Sequence, residues 1–366
     1  MTVVRVARQD DKTEFYRLWK ICFGDSDAFC DWFFENRFSP EHSVVLEVDD
    51  EIVSCMQAFP YTIHIRGKEV PGAMLCGVST HPEHRKKGYM GKIFSYEMNH
   101  LRKMGYVVAP HTPAVLPSYF SFGHYPVADA TYLKCDVIPL LKSEENICIL
   151  RESEWNRLFP LYEFFAEKYS GIIKRTKEDF LRKAADYAAD GGKAAAYIEN
   201  DIVKAYAFYY QTESKMVCVE TVAEDGYWDK LMEGLLSLAT GLNFKAKLPP
   251  EINISFSFTE LERVQKGVMG LCNIKELLEK LNLNIPYGFR LKDDVVPENN
   301  GCFDFKGQIY WGDPVFEISA GHFQQVLVGY HSLDELKSEI TVYNEVKFEE
   351  INALLPKQNC YIIDEY

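Results

Sequence analysis

The sequence predicts an α/β and α+β protein: two consecutive units of similar build with mixed sheets, then a smaller α+β section. Three observations lead there. At 366 residues the chain exceeds the roughly 100 to 200 of one ordinary domain. An apolar strand over 73–81 passes through a basic turn into a helix and returns as a strand over 106–111, a βαβ unit. The order α, α, β, β, β, α of the first 105 residues then recurs between residues 154 and 241.

Each element follows from its pattern. A strand opens the chain over 3–7, and a helix from Asp10 or Asp11 carries Phe15, Leu18, Trp19 and Cys22 at helical spacing. A second helix over 27–37 has Phe29, Trp32 and Phe33 on one side, and alternation predicts strands over 43–48, 52–59 and 61–66. The helix after the basic turn shows Met90, Ile93, Phe94, Met98 and Leu101 and stops at Met104-Gly105. Residues 136–146 lose all periodicity and read as a linker. Beyond it the pattern predicts helices over 154–170 and 177–189, strands over 193–200, 202–211 and 216–223, and a helix over 228–241. From 267 a helix over 274–281, a hairpin through Pro297-Glu-Asn-Asn-Gly301 and a last helix over 347–355 form the third section. The expected units are therefore 1–138, 146–266 and 267–366, ending on an apolar tail.

Composition excludes several classes. With 47% hydrophobic and 26% charged residues, disordered and fibrous chains are ruled out. The formal net charge of −14 opposes nucleic acid and anionic membranes, and the excess acid is uneven: residues 1–135 hold 15 basic and 16 acidic groups, residues 136–366 hold 25 and 38. A cationic partner fits that later surface. Ten cysteines without a CxxC pair read as reduced core thiols, and neither a signal-like start nor a long uncharged apolar run is present, so a cytoplasmic protein without a membrane span is expected. Histidines 81, 84, 111 and 124 show no metal-ligand spacing with Cys or Asp, and no metal is expected.

The segment Val78-Ser79-Thr80-His81-Pro82-Glu83-His84-Arg85-Lys86-Lys87-Gly88-Tyr89-Met90-Gly91 carries most chemical information. A strand that delivers Arg, Lys and Gly onto a helix start offers free N–H groups, a positive dipole end and fixed charge, which together suit a diphosphate. Neither a P-loop nor a Gly-x-Gly-x-x-Gly fingerprint is present. No Gly-x-Ser-x-Gly elbow marks a nucleophilic serine.

Val78-x-x-x-Pro82-x-x-Arg85-x-x-Gly88 resembles the acyl-CoA motif of the GNAT acetyltransferases, and Tyr119-x-x-Phe122-Gly123-His124 resembles the segment that follows it in their Eis-like branch. One departure is Met90, where Gly or Ala is usual, with Gly91 one step later. The resemblance extends over the whole chain and implies two tandem GNAT-type domains, only the first binding acetyl-CoA, and a sterol-carrier-like domain whose C-terminal carboxylate returns to the first site. It implies cofactor contacts from Val78, Ser79, Thr80, Arg85, Lys86, Lys87, Gly88, Met90 and Gly91, with the strand backbone polarising the thioester. It further implies Tyr119 as general acid and the Tyr366 carboxylate beside the acceptor amine. Asp25, Trp32 and Glu365 correspond to the acidic and aromatic wall of the acceptor pocket, and Tyr125 is the local alternative to Tyr119. The expected activity is transfer of acetyl from acetyl-CoA to a primary amine, on a small molecule or a peptide, by direct attack. Because such proteins assemble, a homo-oligomer is also open. Two rival readings are an acyl-CoA sensor without turnover and an apolar-ligand carrier working through residues 267–366.

Overall fold

The computed structural model describes residues 1–141 and 146–365. The middle of the expected linker, 142–145, and Tyr366 therefore lie outside the described residues. The chain begins with β1 (Thr2–Val6), α1 (Lys12–Cys22), α2 (Asp27–Asn36), β2 (Ser43–Val48), β3 (Glu51–Ile65), β4 (Lys68–Thr80), α3 (Tyr89–Lys103), β5 (Val108–His111) and β6 (Tyr125–Cys135). A similar order recurs in β7 (Ile147–Leu150), α4 (Phe159–Ala166), β8 (Ile172–Ile173), α5 (Lys177–Ala189), β9 (Lys193–Glu199), β10 (Ile202–Gln211), β11 (Lys215–Ala223), α6 (Trp228–Leu238) and β12 (Asn243–Leu248). After β13 (Glu260–Leu271) come α7 (Ile274–Leu281), β14 (Gly288–Lys292), β15 (Gly301–Asp304), β16 (Phe316–Ser319), α8 (Ala320–Val328), β17 (Thr341–Val342) and α9 (Glu345–Leu354).

One sheet runs β1-β2-β3-β4-β5-β13-β6-β12-β11-β10-β9-β7, with β8 paired to β3, and a smaller sheet runs β15-β14-β16-β17. Among the described residues of the large sheet, only β4/β5 and β11/β12 are parallel pairs. Because β13 enters between β5 and β6, the boundary expected at 266/267 falls inside a continuous strand. Helices cover both faces of the first part: Phe15, Leu18 and Trp19 of α1 join one core, and Ile93, Phe94, Met98 and Leu101 of α3 the other. The third section shares the first of these cores through Phe289, Phe316 and Phe323. Arg66 ties it down by donating to Val326 O, Leu327 O and Pro356 O, each at 2.8 Å, which satisfies carbonyls at the end of α8.

Two expected breaks move. The strands expected over 52–59 and 61–66 are one strand, β3, because β2 pairs with β3 only as far as Gln57 and Pro60 then faces no neighbour on that side. The helix expected over 154–170 is instead a 3-10 turn, Glu152–Leu158, followed by α4, since Pro160 supplies no N–H to continue the preceding turn. Of the expected linker, Ile138 is buried and fixed by hydrogen bonds to Leu242 O (3.0 Å) and from Gly241 N–H (2.9 Å).

Glu97 of α3 is fully buried, and among the described residues neither carboxyl oxygen has a hydrogen-bond partner. Burial pushes its pKa up to about 8. The folded chain thus keeps a proton that the unfolded chain loses above about pH 4.5, so stability falls as pH rises from there towards 8. Glu97→Gln is expected to raise stability by roughly 3 kcal/mol at pH 7, by the relation of 1.36 kcal/mol per pH unit, and to flatten that slope in denaturant titrations.

Candidate active site

The site begins where β4 and β5 part. They meet at the single register pair Gly72↔Val108; β13 pairs with the other edge of β5 from Val108 to His111, and the last residues of β4 keep an unpaired edge towards β5. A bulge distorts that stretch of β4: Cys55↔Ser79 and Gln57↔Cys76 leave Gly77 and Val78 facing Met56 alone. Only glycine fits at 77, where φ is +60° and an added Cβ would lie 2.6 Å from the Trp19 ring. Ser54 then pins the strand end by donating its hydroxyl to Ser79 O at 2.7 Å.

Residues 85–88 turn the chain onto α3. Lys86 (φ +63°) and Gly88 (φ +76°) both take left-handed conformations, and α3 starts at Gly88 without a side-chain cap. Its first-turn N–H groups therefore face open space, with the positive end of a 15-residue helix behind them. Arg85 folds back, donating from Nε to Thr80 O at 3.1 Å, with Nη2 3.7 Å from Cys22 Sγ. A cleft of about 670 Å³ results, lined by Val78, Ser79, Thr80, Arg85, Lys86, Gly88, Met90 and Gly91 together with Tyr119 and Phe122. Met90 thus lines the cleft in the place where the motif usually has a smaller residue. Lys87 is exposed and does not line it.

Tyr119 stands on a 3-10 turn, Leu116–Phe122, directly after β5. Its ring packs edge-on to His111 at 4.6 Å and against Phe94 at 5.5 Å, and among the described residues its hydroxyl has no hydrogen-bond partner. Burial raises its pKa, so the phenol stays protonated through the physiological range. Beneath it, His111 Nε2 and His124 Nδ1 are 3.1 Å apart, both rings fully buried. Desolvation lowers both, His124 to about 3, so this pair is neutral at pH 7. Tyr125 stacks on Phe120 and lies against His322, away from the cleft.

A second pocket of about 210 Å³ lies among α1, α2 and α5. Trp19, Phe29, Phe33, Tyr187 and Tyr210 supply rings, and Asp25, Asp186, Asp190 and Glu365 supply carboxylates. Trp19 Nε1 donates to Asp25 Oδ2 at 2.7 Å, while Asp25 and Asp190 have no ion-pair partner among the described residues. Burial and the nearby Asp25 raise the Asp190 pKa. Trp32 is not in this pocket. It precedes Phe33 by one residue, so it projects about 100° round α2 and lines a groove with Trp155, Ala184 and Ala188.

Glu365 reaches the pocket because the whole tail is clamped. Residues 360–364 are buried, and Arg175 Nη2 holds Glu220 at 2.7 Å and Asp364 at 2.8 Å with every partner buried. Lys247 donates to Ile362 O, Ile363 O and Glu365 Oε1, and Lys266 lies 3.1 Å from Glu365 Oε2. Burial would raise the Glu365 pKa, but these two lysines hold it down at about 2. Lys183 donates to Glu365 O (2.8 Å) and Thr112, next to His111, to Asp364 O (3.3 Å), so the chain end is led towards the end of β5.

Sequence reasoning missed Trp19, Asp190, Tyr210 and the His111–His124 pair, since each becomes informative only when distant segments meet. It also predicted no contact between Arg85 and its own strand.

The decisive comparison covers the segment that builds the cleft. Residues 3–128 match the acetyltransferase (GNAT) domain family. GNAT domains use acetyl-CoA as co-substrate, so the match supports acyl transfer in general. The fold extends that likeness along the chain. A GCN5-related N-acetyltransferase from Anabaena variabilis superimposes with a TM-score of 0.82 at 13% identity. A conserved protein of unknown function from Enterococcus faecalis, described as a probable N-acyltransferase, gives 0.81 at 16%, and Eis1 from Mycobacterium abscessus gives 0.77 at 14%. Each comparison covers 100% of both chains. No curated protein matches the sequence. Among the described residues no helix is long and apolar enough to cross a membrane, and no cluster of His, Cys, Asp and Glu is placed to hold a metal.

Arg175→Ala would strand Glu220 and Asp364 as buried, uncompensated charges. It is expected to cost about 3–5 kcal/mol in chemical unfolding, with the tail becoming accessible to carboxypeptidase.

Proposed function

We propose that this protein is an N-acetyltransferase that moves acetyl from acetyl-CoA to a primary amine by direct attack, without a covalent enzyme intermediate. The supporting observation is the cleft itself: an uncapped helix start, a cationic turn, an unpaired strand edge and an unpartnered tyrosine hydroxyl line one cavity. The diphosphate would rest on the first-turn N–H groups of α3, with Lys86 and a released Arg85 adding charge. The pantetheine arm would lie along the free edge of β4, whose N–H groups meet the developing oxyanion.

In the transfer step the neutral amine nitrogen bonds to the thioester carbon, the C–S bond breaks, the CoA thiolate takes the Tyr119 proton, and the proton shed by the acylated nitrogen returns to the Tyr119 phenolate through solvent. A phenol near 10 giving its proton to a thiol near 8.5 is uphill by about 1.5 units, roughly 2 kcal/mol, and the raised Tyr119 pKa makes it steeper. Tyr119 therefore works by a strong hydrogen bond in the transition state, with full proton delivery only as the thiolate leaves. The acceptor would enter through the acidic pocket, where Asp25 and Asp190 attract its ammonium form, Glu365 being already paired with Lys247 and Lys266, and the rings contact its carbons. The Tyr366 carboxylate would complete that wall, since Lys183 and Thr112 already steer the preceding residues. A carboxylate near 3.5 acts there by positioning and electrostatics, because it is too weak to deprotonate an amine near 10.4 directly.

The repeated element order supports reading the chain as tandem GNAT-type units within 1–138 and 146–266, with a sterol-carrier-like section to 366. In the second unit the turn corresponding to the cradle is Glu224-Asp225-Gly226-Tyr227, acidic where a diphosphate needs the opposite sign. Acetyl-CoA supply places the reaction in the cytoplasm.

Tyr119→Phe is expected to lower kcat with acetyl-CoA and a reactive amine by at least tenfold while changing the Kd for acetyl-CoA less than twofold. Stopped-time thiol release and calorimetry check it; an unaltered kcat would remove Tyr119 from the mechanism. The untagged wild-type chain screened against a varied amine library tests the activity, and acetyl-CoA binding without thiol release from any amine would favour the sensor reading.

A further inference from the structure

Gln57 stands out on the strand next to the site. Along β3, Met56 and Ala58 join the core under α3, while Cys55 and Phe59 join the core under α1 and α2. Alternation places Gln57 with the latter pair, the only long amide on that apolar face. It is 1% exposed, and among the described residues neither Oε1 nor Nε2 has a hydrogen-bond partner. Leaving such a group unpaired costs about 1–3 kcal/mol, a cost that a methionine of similar shape would avoid.

Its position explains what the amide is for. A Cβ on Gly77 would lie 3.4 Å from Gln57 Nε2 and 2.6 Å from the Trp19 ring, so amide, bulge and indole share one point. On one side of that point begins the Val78–Thr80 stretch lining the acyl cleft; on the other, Trp19 walls the acidic pocket. An amine that passed from pocket to thioester would cross this seam. The indole lies at the same bulge as Gln57 and is itself tethered to Asp25 at 2.7 Å. An ammonium that takes Asp25 as its partner releases the tether.

We infer that Gln57 orients the acceptor: its Oε1 accepts an N–H of the entering amine and turns the nitrogen lone pair towards the acyl carbon on β4. The amide moves no proton. The bonds made and broken are those of the transfer step, and the inference rests on the acetyltransferase reading. Gly77 gives the indole its room at the bulge, where an added Cβ would meet the ring at 2.6 Å but Gln57 Nε2 at an ordinary 3.4 Å.

The experiment compares the wild-type chain with Gln57→Met and Gln57→Glu, using acetyl-CoA and an amine that the wild type acetylates. For Gln57→Met the expectation is an unchanged or higher Tm, a Kd for acetyl-CoA within twofold, and a kcat at least tenfold lower. Gln57→Glu keeps an acceptor oxygen while its buried carboxyl is neutral, so its kcat should fall with rising pH along a limb absent from the wild type. A Gln57→Met kcat within twofold of wild type, or a Gln57→Glu pH profile that superimposes on it, would overturn the inference. Should Gln57→Met fail to fold, the pH profile decides alone. If the wild type releases no thiol with any amine, the acetyltransferase reading falls and this inference with it; turnover by the wild type that Gln57→Met fully retains sinks only the role of Gln57.

Discussion

Everything at the site depends on β4 and β5 separating after one shared register position. Parallel neighbours normally continue to pair, and these two part although β13 stays paired to the far edge of β5 from Val108 to His111. The gap exposes backbone polar groups of β4 that a closed sheet would satisfy, and it places the start of α3 at its mouth. A cleft in a sheet needs something to replace the lost hydrogen bonds, and a linear amide-bearing ligand such as pantetheine replaces them in kind. The bulge at Gly77 and Val78, the tether from Ser54 and the return of Arg85 onto Thr80 O hold that edge in shape.

A second constraint is charge brought in from far along the chain. Arg175, Lys183, Lys247 and Lys266 converge on the last residues, and the tail they hold delivers Glu365 to a pocket walled mainly by α1, α2 and α5. Burying these ions is expensive and their mutual pairing offsets it only while the tail is present. The geometry of the acidic pocket is therefore tied to folding of the whole chain. The interleaving of β6 and β13 has the same consequence, since neither half of the large sheet is complete without a strand from elsewhere.

Local patterns made much of this legible. The basic turn and the helix after it are read from adjacent residues, and of the residues singled out there Val78, Ser79, Thr80, Arg85, Lys86, Gly88, Met90 and Gly91 line one cleft, whereas Lys87 does not. Tyr119 joins them because the turn carrying it follows β5 directly. The acidic pocket was only half readable. Asp25 and Glu365 reach it, but its second wall comes from Asp190 and Tyr210, whose segments carry no local signal. Trp32 fails for a geometric reason, as one residue along a helix is a turn of 100° and the neighbouring Phe33 takes the inward place. Prolines misled in both directions: Pro60 was tolerated beside a free flank of β3, and Pro160 ended a turn that periodicity would have continued. Gln57 was invisible, because an amide in an apolar strand has meaning only once its missing partners are known.

The most direct test is a crystal structure of the chain with CoA. The account predicts diphosphate oxygens within hydrogen-bonding distance of backbone N–H groups between Lys86 and Gly91, Arg85 released from Thr80 O, and the thiol end between β4 and Tyr119. CoA bound outside this cleft, or a closed β4 edge with the helix start left bare, would contradict it.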